Sequence, residues 1–274
     1  MNLSFTKMHG LGNDMIVLDS LESGFVPGAE QARSMCRRRF GIGADQVLVL
    51  LPSDSADFRM LILNSDGSEV EMCGNGIRCL ARYIRERGLS DKEELEVETL
   101  AGIIRPRVEN GLVKVDMGEP EFEASRIPVK GEGKVSLASL SIDDDIFKIS
   151  AVSMGNPHCV IQVDEVDKVP LETVGPRIET HPWFKNRTNV EFVEVLSKDH
   201  IKVRVWERGA GATLACGTGA CAAAVVMADL GLADRELTVS LPGGDLEIEW
   251  NKESNRVRMS GPAEEVYNGV IELS

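Results

Sequence analysis

Two short stretches carry residue types suited to chemistry: "CGNG" at Cys73–Gly76 and "CGTG" at Cys216–Gly219. In each, a thiol stands just before a Gly-x-Gly. A helical run follows, "IRCLARYIRE" in one case and the almost wholly apolar "ACAAAVVMADL" in the other. The first turn of a helix leaves N–H groups unpaired and carries a partial positive charge. A cysteine placed there is expected to have a lowered pKa and more thiolate. The glycines let an anion approach the backbone closely. Two such helix mouths facing each other would hold a carboxylate by N–H groups from both sides, with one thiol on each face of the adjacent carbon. That arrangement suits inversion of a stereocentre next to a carboxylate: one thiolate removes the α-proton, and the opposite thiol delivers one to the other face. The α-proton is far less acidic than a thiol, whose reference pKa is about 8.5. Helix termini aimed at the developing enediolate close part of that gap, and exclusion of water from a shut cleft closes more.

The elements that position these residues come from an internal repeat. With Cys73 laid on Cys216, an offset of 143, Gly74 meets Gly217, Gly76 meets Gly219, and Ala81 meets Ala224. Gly88-Leu89 meets Gly231-Leu232, and Asp91 meets Asp234. Towards the N-terminus Asn64 meets Glu207, Gln46-Val47 meets Asn189-Val190, and Gly12-Asn13 meets Gly155-Asn156. After a one-residue slip, "VDMGEP" aligns with "VRMSGP". Single matches of this kind arise by chance, but one register holding across so many blocks does not. The expected fold is therefore α/β (α+β): two pseudo-symmetric domains, each a mostly antiparallel curved sheet around a central helix, with the active site in the cleft between them. The domains are read as 1–120 and 121–262, with 263–274 a closing strand that joins the first. Strand signals include "VLVLL", "FRMLIL" and "LEVETL" in one half and "VEFVEV", "IKVRVWE" and "LTVSL" in the other. Gly88 and Gly231 are expected C′ stops. The second helix, apolar on nearly every face, is expected to be buried.

Composition narrows the class. At 274 residues and 43% hydrophobic, the chain can build real cores. A net charge of −14 argues against nonspecific binding to nucleic acid or anionic membrane. No apolar run approaches a membrane span and no leader-like segment opens the chain, so a cytoplasmic protein is expected. In that compartment the six cysteines are expected as thiols. The spacings C-x5-C and C-x4-C lack the knuckles of a zinc site, so no metal is expected. Cys36, Cys79, Cys159 and Cys221 read as packing residues. No lysine stands in register in the two halves to form a Schiff base with pyridoxal phosphate. "FGIGAD" lacks the strand that precedes a dinucleotide fingerprint, so its glycines read as a turn.

The chain resembles the diaminopimelate epimerase family. "KMHGLGNDMIVLD", "GIGADQ", "NSDGSEVEMCGNGIRC", "MGNPHCV", "RTNVEFV" and "WERGAGATLACGTGACAA" look like that family's blocks, in its order and over most of the chain. The resemblance implies a cofactor-independent isomerase of lysine and peptidoglycan precursor biosynthesis that interconverts LL- and meso-diaminopimelate. It implies Cys73 and Cys216 as the acid/base pair, with His158 and Glu207 supporting catalysis. It implies that Gly74, Asn75, Gly217 and Thr218 hold the reacting carboxylate, and that Asn13, Gln46, Asn64, Asn156, Asn189, Glu207 and Arg208 complete the substrate site. The repeat agrees, since Asn13/Asn156, Gln46/Asn189 and Asn64/Glu207 are its in-register polar pairs. Arg208, opposite Ser65, has no charged counterpart, which suits a second, distal carboxylate. His158 taken alone is as readily a packed loop histidine as a site residue, and His9 reads as structural. The implied partner is the small-molecule substrate and, at most, a second copy of the chain in a homodimer. Two rivals stand beside this reading. A proline or hydroxyproline racemase type tends to carry a His after the first Cys-Gly, where this chain has Asn75. A thiol redox or metal-binding protein would show no α-proton exchange. A phenazine-pathway type of isomerase shares the fold but lacks the two thiols.

Overall fold

The structure is a computed structural model and describes residues 1–143 and 145–273. The chain divides into two compact units, Met1–Val115 with Gly261–Ser274, and Asp116–Ser260. The first contains β1 (Asn2–Gly10), β2 (Asn13–Asp19), α1 (Ala29–Cys36), β3 (Gln46–Leu51), β4 (Phe58–Asn64), α2 (Gly74–Glu86), β5 (Val97–Thr99), β6 (Gly102–Ile104) and β7 (Arg107–Glu109). The chain leaves it along β8 (Leu112–Gly118). The second contains β9 (Ala138–Ile142), β10 (Asp145–Ser153), β11 (Pro157–Gln162), α3 (Leu171–Glu179), β12 (Asn189–Ser197), β13 (His200–Glu207), β14 (Gly211–Thr213), α4 (Gly217–Asp229), β15 (Glu236–Leu241), β16 (Gly244–Trp250) and β17 (Val257–Gly261). Finally β18 (Glu264–Glu272) lies antiparallel beside β1.

The first unit's sheet runs β18-β1-β2-β3-β4-β5-β6. Most neighbours are antiparallel, but β2 and β3 are parallel, as are β4 and β5. The second unit repeats the pattern, with parallel β11–β12 and β13–β15 between antiparallel neighbours. The register repeats as well. Met15 pairs with Gln46, and His158 with Asn189, each 143 positions on; Val47 pairs with Leu63, and Val190 with Trp206. This is an α+β fold in which one supersecondary plan is used twice.

Runs such as "VLVLL" have no polar alternation because both faces of their strands are covered. In the first unit Ile16, Leu18, Val47 and Val49 pack with Ala32 and Met35 of α1. The alternate residues, Met15, Val17, Leu48 and Leu50, are equally buried, and α2 contacts β1 through β4. In the second unit Ile149, Cys159, Ile161, Val190 and Phe192 pack with Leu171, Val174 and Ile178 of α3. The helix α4 touches β10, β11, β12, β13, β15 and β16. A helix surrounded by strands has no solvent face to keep polar, which explains "ACAAAVVMADL". The outer helices α1 and α3 are not evident from the repeat, because their sequences do not match.

Both central helices end alike. Gly88 and Gly231 adopt left-handed φ values of 64° and 71°. Gly88 N–H donates to the Arg85 carbonyl and Leu89 N–H to that of Ile84; Gly231 and Leu232 do the same to Ala228 and Met227. These double bonds close each helix and require the left-handed residue that glycine supplies without strain.

Candidate active site

Each central helix starts at a cysteine. Cys73 is the N-cap of α2, with φ −137° and ψ 116°, and its sulfur accepts from Gly76 N–H at 3.3 Å. Cys216 is the N-cap of α4, with φ −124° and ψ 109°, and accepts from Gly219 N–H at 3.4 Å. The thiol replaces the hydroxyl or carboxylate usual at this position. Gly76 and Gly219 are required by close approach: a Cβ on either would lie within 3.3 Å of the capping cysteine's side chain.

In the first unit the expected residues form two groups. Asn13, opening β2, has its amide oxygen 3.9 Å from Cys73 Sγ and 3.1 Å from Asn75 Nδ2. Its own Nδ2 donates to Asp45 at 2.8 Å. Gln46 and Asn64 are cross-strand partners whose side chains are joined, Nε2 to Oδ1, at 3.0 Å. Gln46 Oε1 is buried without a hydrogen-bond partner among the described residues. Arg78, which sequence reasoning passed over, is fully buried. It donates to Asn75 Oδ1 at 2.9 Å and to the carbonyls of Gly74 and Pro262 at 3.3 Å, so one guanidinium braces the start of α2. His9 lies 3.7 Å from Glu264 and accepts from Gly12 N–H.

In the second unit Asn156 Nδ2 donates to Thr218 Oγ1 at 3.3 Å, and Thr218 Oγ1 is 3.6 Å from Cys216 Sγ. His158 is fully buried, with Nε2 2.8 Å from Asn156 Oδ1 and Nδ1 2.7 Å from Glu191 Oε1. His158 thus reaches the thiol through other side chains. Glu207 ends β13 and accepts from Thr213 at 2.5 Å. Asn189 donates to the Pro157 carbonyl at 3.0 Å and accepts from Arg208 N–H at 3.0 Å. Glu179, a second omission of the sequence reading, accepts from Trp206 Nε1 at 2.7 Å and Gly209 N–H at 3.0 Å, pinning the turn that carries Arg208. The third omission is Glu191. Its signal is a charged residue within the buried stretch 190–193 of β12, opposite Leu48 in the repeat.

One electrostatic expectation is corrected. Cys216 is pushed well above the ordinary thiol value, not below it. Burial is the main cause, and the nearby Glu207 and Glu191 add to it; the Thr218 hydroxyl and Gly219 N–H work against the rise. Desolvation of the anion outweighs the helix terminus. Burial also raises Cys36 to about 11, Cys79 to about 12, and Cys159 well above the usual range. No disulfide joins any of the six cysteines among the described residues. Among the described residues no group of three or more His, Cys, Asp or Glu side chains is placed to hold a metal ion.

The chain is a two-unit α+β protein in which one sheet-and-helix plan is used twice and a cysteine caps each central helix. Solved structures agree on the fold. A phenazine biosynthesis protein of the PhzF family from Bacillus anthracis superposes with a TM-score of 0.72 at 20% identity, covering 100% of each chain. A probable proline racemase from Agrobacterium radiobacter gives 0.69 at 16% identity, covering 99% of this chain and 93% of that one. The sequence comparisons go further. The diaminopimelate epimerase family model matches residues 5–123 and 150–266. Diaminopimelate epimerases of Heliobacterium modesticaldum and Moorella thermoacetica are 52% and 53% identical to this chain, covering 99% of it and 100% of each relative. The chain belongs to the diaminopimelate epimerase family, whose members are isomerases of lysine biosynthesis.

Proposed function

We propose that Cys73 and Cys216 are the two proton-transfer groups with which this isomerase interconverts LL- and meso-diaminopimelate. One sulfur, as thiolate, takes the α-proton; the other, as thiol, gives its proton to the opposite face of the same carbon. Afterwards the two have exchanged protonation states and the reverse reaction is set. Cys216, with its raised pKa, rests as the thiol. The observation that carries this reading is the duplicated cap: two cysteines, 143 positions apart, each accepting from the N–H three residues on.

The remaining roles are part of the same proposal. The helix-opening N–H groups of Gly74, Asn75, Gly217 and Thr218 serve the reacting carboxylate and the enediolate that forms from it. Asn13 and Asn156, each close to a cap, contact the reacting centre. Gln46, Asn64 and Asn189 serve the substrate. The leftover Gln46 acceptor suits a substrate ammonium. Glu207 faces Cys216 electrostatically. Arg208 takes the distal carboxylate. Thiols supply both acid and base, and the reading needs neither metal nor pyridoxal phosphate.

The reading extends to a cytoplasmic enzyme, for which cysteines outside disulfides are suited; no helix among the described residues is long and apolar enough to cross a membrane. It extends also to a homodimer. The edge strand β18 exposes Val266, Tyr267 and Val270, and such edges pair readily with another chain. Sedimentation of a Val270→Lys variant tests that point.

The test of the main reading is proton exchange. With LL-diaminopimelate in deuterated water, wild-type protein should epimerise the substrate and place deuterium at the inverted carbon. Cys73→Ala and Cys216→Ala should each lose about 100-fold to 10,000-fold or more in turnover, the usual cost of a positioned acid or base. Near-wild-type turnover in either variant would remove the two-thiol mechanism.

A further inference from the structure

The two thiols have different neighbours. At the offset of the repeat, Met15 in β2 answers to His158 in β11, and Leu48 in β3 answers to Glu191 in β12. In the first unit these positions hold two fully buried apolar side chains. Leu48 Cδ2 lies 3.2 Å from where a Cβ on Gly76 would stand. In the second unit they hold a fully buried ionisable pair, with His158 Nδ1 2.7 Å from Glu191 Oε1. Glu191 Oε1 would lie 2.9 Å from a Cβ on Gly219, the residue whose N–H donates to the capping Cys216 sulfur. The repeat packs these positions with apolar residues in one copy, so the ionisable pair in the other has a reason beyond packing.

Its hydrogen bonds form one directed chain. His158 Nε2 lies 2.8 Å from Asn156 Oδ1, Asn156 Nδ2 donates to Thr218 Oγ1 at 3.3 Å, and Thr218 Oγ1 is 3.6 Å from Cys216 Sγ. An amide oxygen only accepts, so Nε2 carries a proton. Because the Thr218 oxygen accepts from Asn156, its single hydroxyl proton is left for the sulfur. Nδ1 and Oε1 then share one proton. Whether the pair is imidazolium with carboxylate or imidazole with carboxylic acid, it is neutral as a whole. Among the described residues Glu191 Oε2 is buried without a hydrogen-bond partner, which a carboxylic acid tolerates far better than a carboxylate. Burial accordingly pushes the Glu191 carboxyl up, against the opposing pull of His158.

We propose, resting on the two-thiol reading above, that Glu191 is a positioning residue for Cys216: it locks the His158 ring onto Asn156 and so aims the Thr218 hydroxyl proton at the sulfur. The relay favours the thiolate in the half-reaction in which Cys216 is the base. The methionine and leucine at the matching positions near Cys73 cannot carry such a relay. The ionisable groups facing this corner are His158 from β11, Glu191 from β12 and Glu207 from β13. The helix α4 adds no acidic residue in its first turn and no basic one in its last. A Glu191 acting as a bare negative charge would oppose the thiolate, as Glu207 does. The two roles therefore predict opposite signs.

The test is site-resolved alkylation. Full-length wild-type protein, Glu191→Gln, Glu191→Leu and the double variant His158→Met/Glu191→Leu are treated with iodoacetamide across the neutral to alkaline range. Modification at each cysteine is read by peptide mass spectrometry. The double variant installs the pair that the first unit already packs, which keeps the test independent of an isolated buried histidine. In Glu191→Leu and in the double variant, the Cys216 midpoint should rise by about one pH unit, as expected for losing a hydrogen bond to a charged sulfur. The Cys73 midpoint should stay where it is. Glu191→Gln should keep the wild-type Cys216 midpoint, because the glutamine amide can donate to Nδ1 and leave the Nε2 proton in place. In Glu191→Leu and the double variant kcat at neutral pH should fall with the KM for diaminopimelate unchanged, recovering as pH rises towards the new midpoint. A downward move of the Cys216 midpoint in Glu191→Leu, no move at all, or a glutamine variant as impaired as the leucine one would overturn the proposal. Failure of the two-thiol reading looks different: Cys216→Ala would then keep its turnover, whatever the alkylation profile.

Discussion

Arg208→Met asks how the far end of the substrate is held. Arg208 is exposed, but its backbone is fixed from several sides. Its N–H donates to Asn189 Oδ1 at 3.0 Å, and Glu179 binds the residues flanking Glu207 and Arg208, at Trp206 Nε1 and Gly209 N–H. Its guanidinium makes one hydrogen bond, from Nη1 to the Asn186 carbonyl at 3.3 Å, and has no acidic partner among the described residues. The remaining donors suit a bidentate carboxylate. Two magnitudes compete. If the pair with substrate stayed exposed it would contribute about 0.2–1 kcal/mol, at most about fivefold in binding. If the substrate desolvates it, truncation costs about 2–5 kcal/mol, roughly 30-fold to several thousandfold. A fixed backbone and uncommitted donors mean that little ordering is left to be done on binding, which favours the larger figure. We expect Arg208→Met to lose at least about 30-fold in kcat/KM on diaminopimelate, mostly through KM. A substrate with the same reacting centre but no distal carboxylate should lose much less. Glu179→Gln should show the same selectivity pattern in weaker form, by loosening the turn. Steady-state kinetics on both substrates decide the matter. Equal proportional losses would mean that Arg208 serves the reacting centre or the fold.

Cys79→Ala and Cys221→Ala should retain most activity, since both thiols are fully buried within their helices; loss of proton exchange in a folded variant would show that the assignment of Cys73 and Cys216 is incomplete. Asp14 is held well below its ordinary value of 3.8: burial alone would raise it, but hydrogen bonds from Arg38 and Lys7 outweigh burial. A depressed folded-state value stabilises the protein above the unfolded value and stops doing so as pH falls through the folded one. Asp14→Asn should therefore lower the urea midpoint at neutral pH, with the gap to wild type narrowing as pH falls below 4; a gap independent of pH would contradict this. Gly219→Ala gains about 1 kcal/mol of helix propensity, yet its Cβ meets Glu191 Oε1 at 2.9 Å and Cys216 Sγ at 3.2 Å. Its thermal stability should change little and its turnover should drop; wild-type kinetics would show that the sulfur has more room than these distances allow.

The repeat made much of this molecule legible before any coordinates. Glycines at helix ends, paired amides at strand ends and a thiol at each helix mouth are local signals, and each recurs 143 positions on. The parts that stayed hidden depend on tertiary burial. Nothing in "CGNGIRC" distinguishes a surface arginine from the fully buried Arg78 that braces Gly74 and Asn75. The capping role of Glu179 depends on α3 lying against the turn after β13, a contact between distant parts of the chain. The raised pKa of Cys216 is hidden from the sequence for the same reason. A helix terminus is visible in a sequence, but the desolvation that opposes it is not.

The pattern of what the repeat conserves carries its own argument. A proton moved from one face of a carbon to the other demands like groups in both copies, and the capping thiols with Asn13 and Asn156 are alike. The rest of diaminopimelate lies on one side of that carbon only, so the groups that hold it have no reason to be duplicated. Arg208 answers to Ser65 and Glu207 to Asn64 in the repeat. The His158–Glu191 pair answers to Met15 and Leu48, and here no feature of the distal substrate explains the difference, since both residues are fully buried. Their asymmetry belongs to the thiols. Cys216 sits in a corner where burial and Glu207 disfavour its anion, and in the two-thiol proposal, without compensation, it would serve well as an acid and poorly as a base. In the two-thiol proposal a reversible reaction needs both roles from both sulfurs. A neutral relay that delivers one hydroxyl proton to Cys216 supplies that compensation without adding a charge.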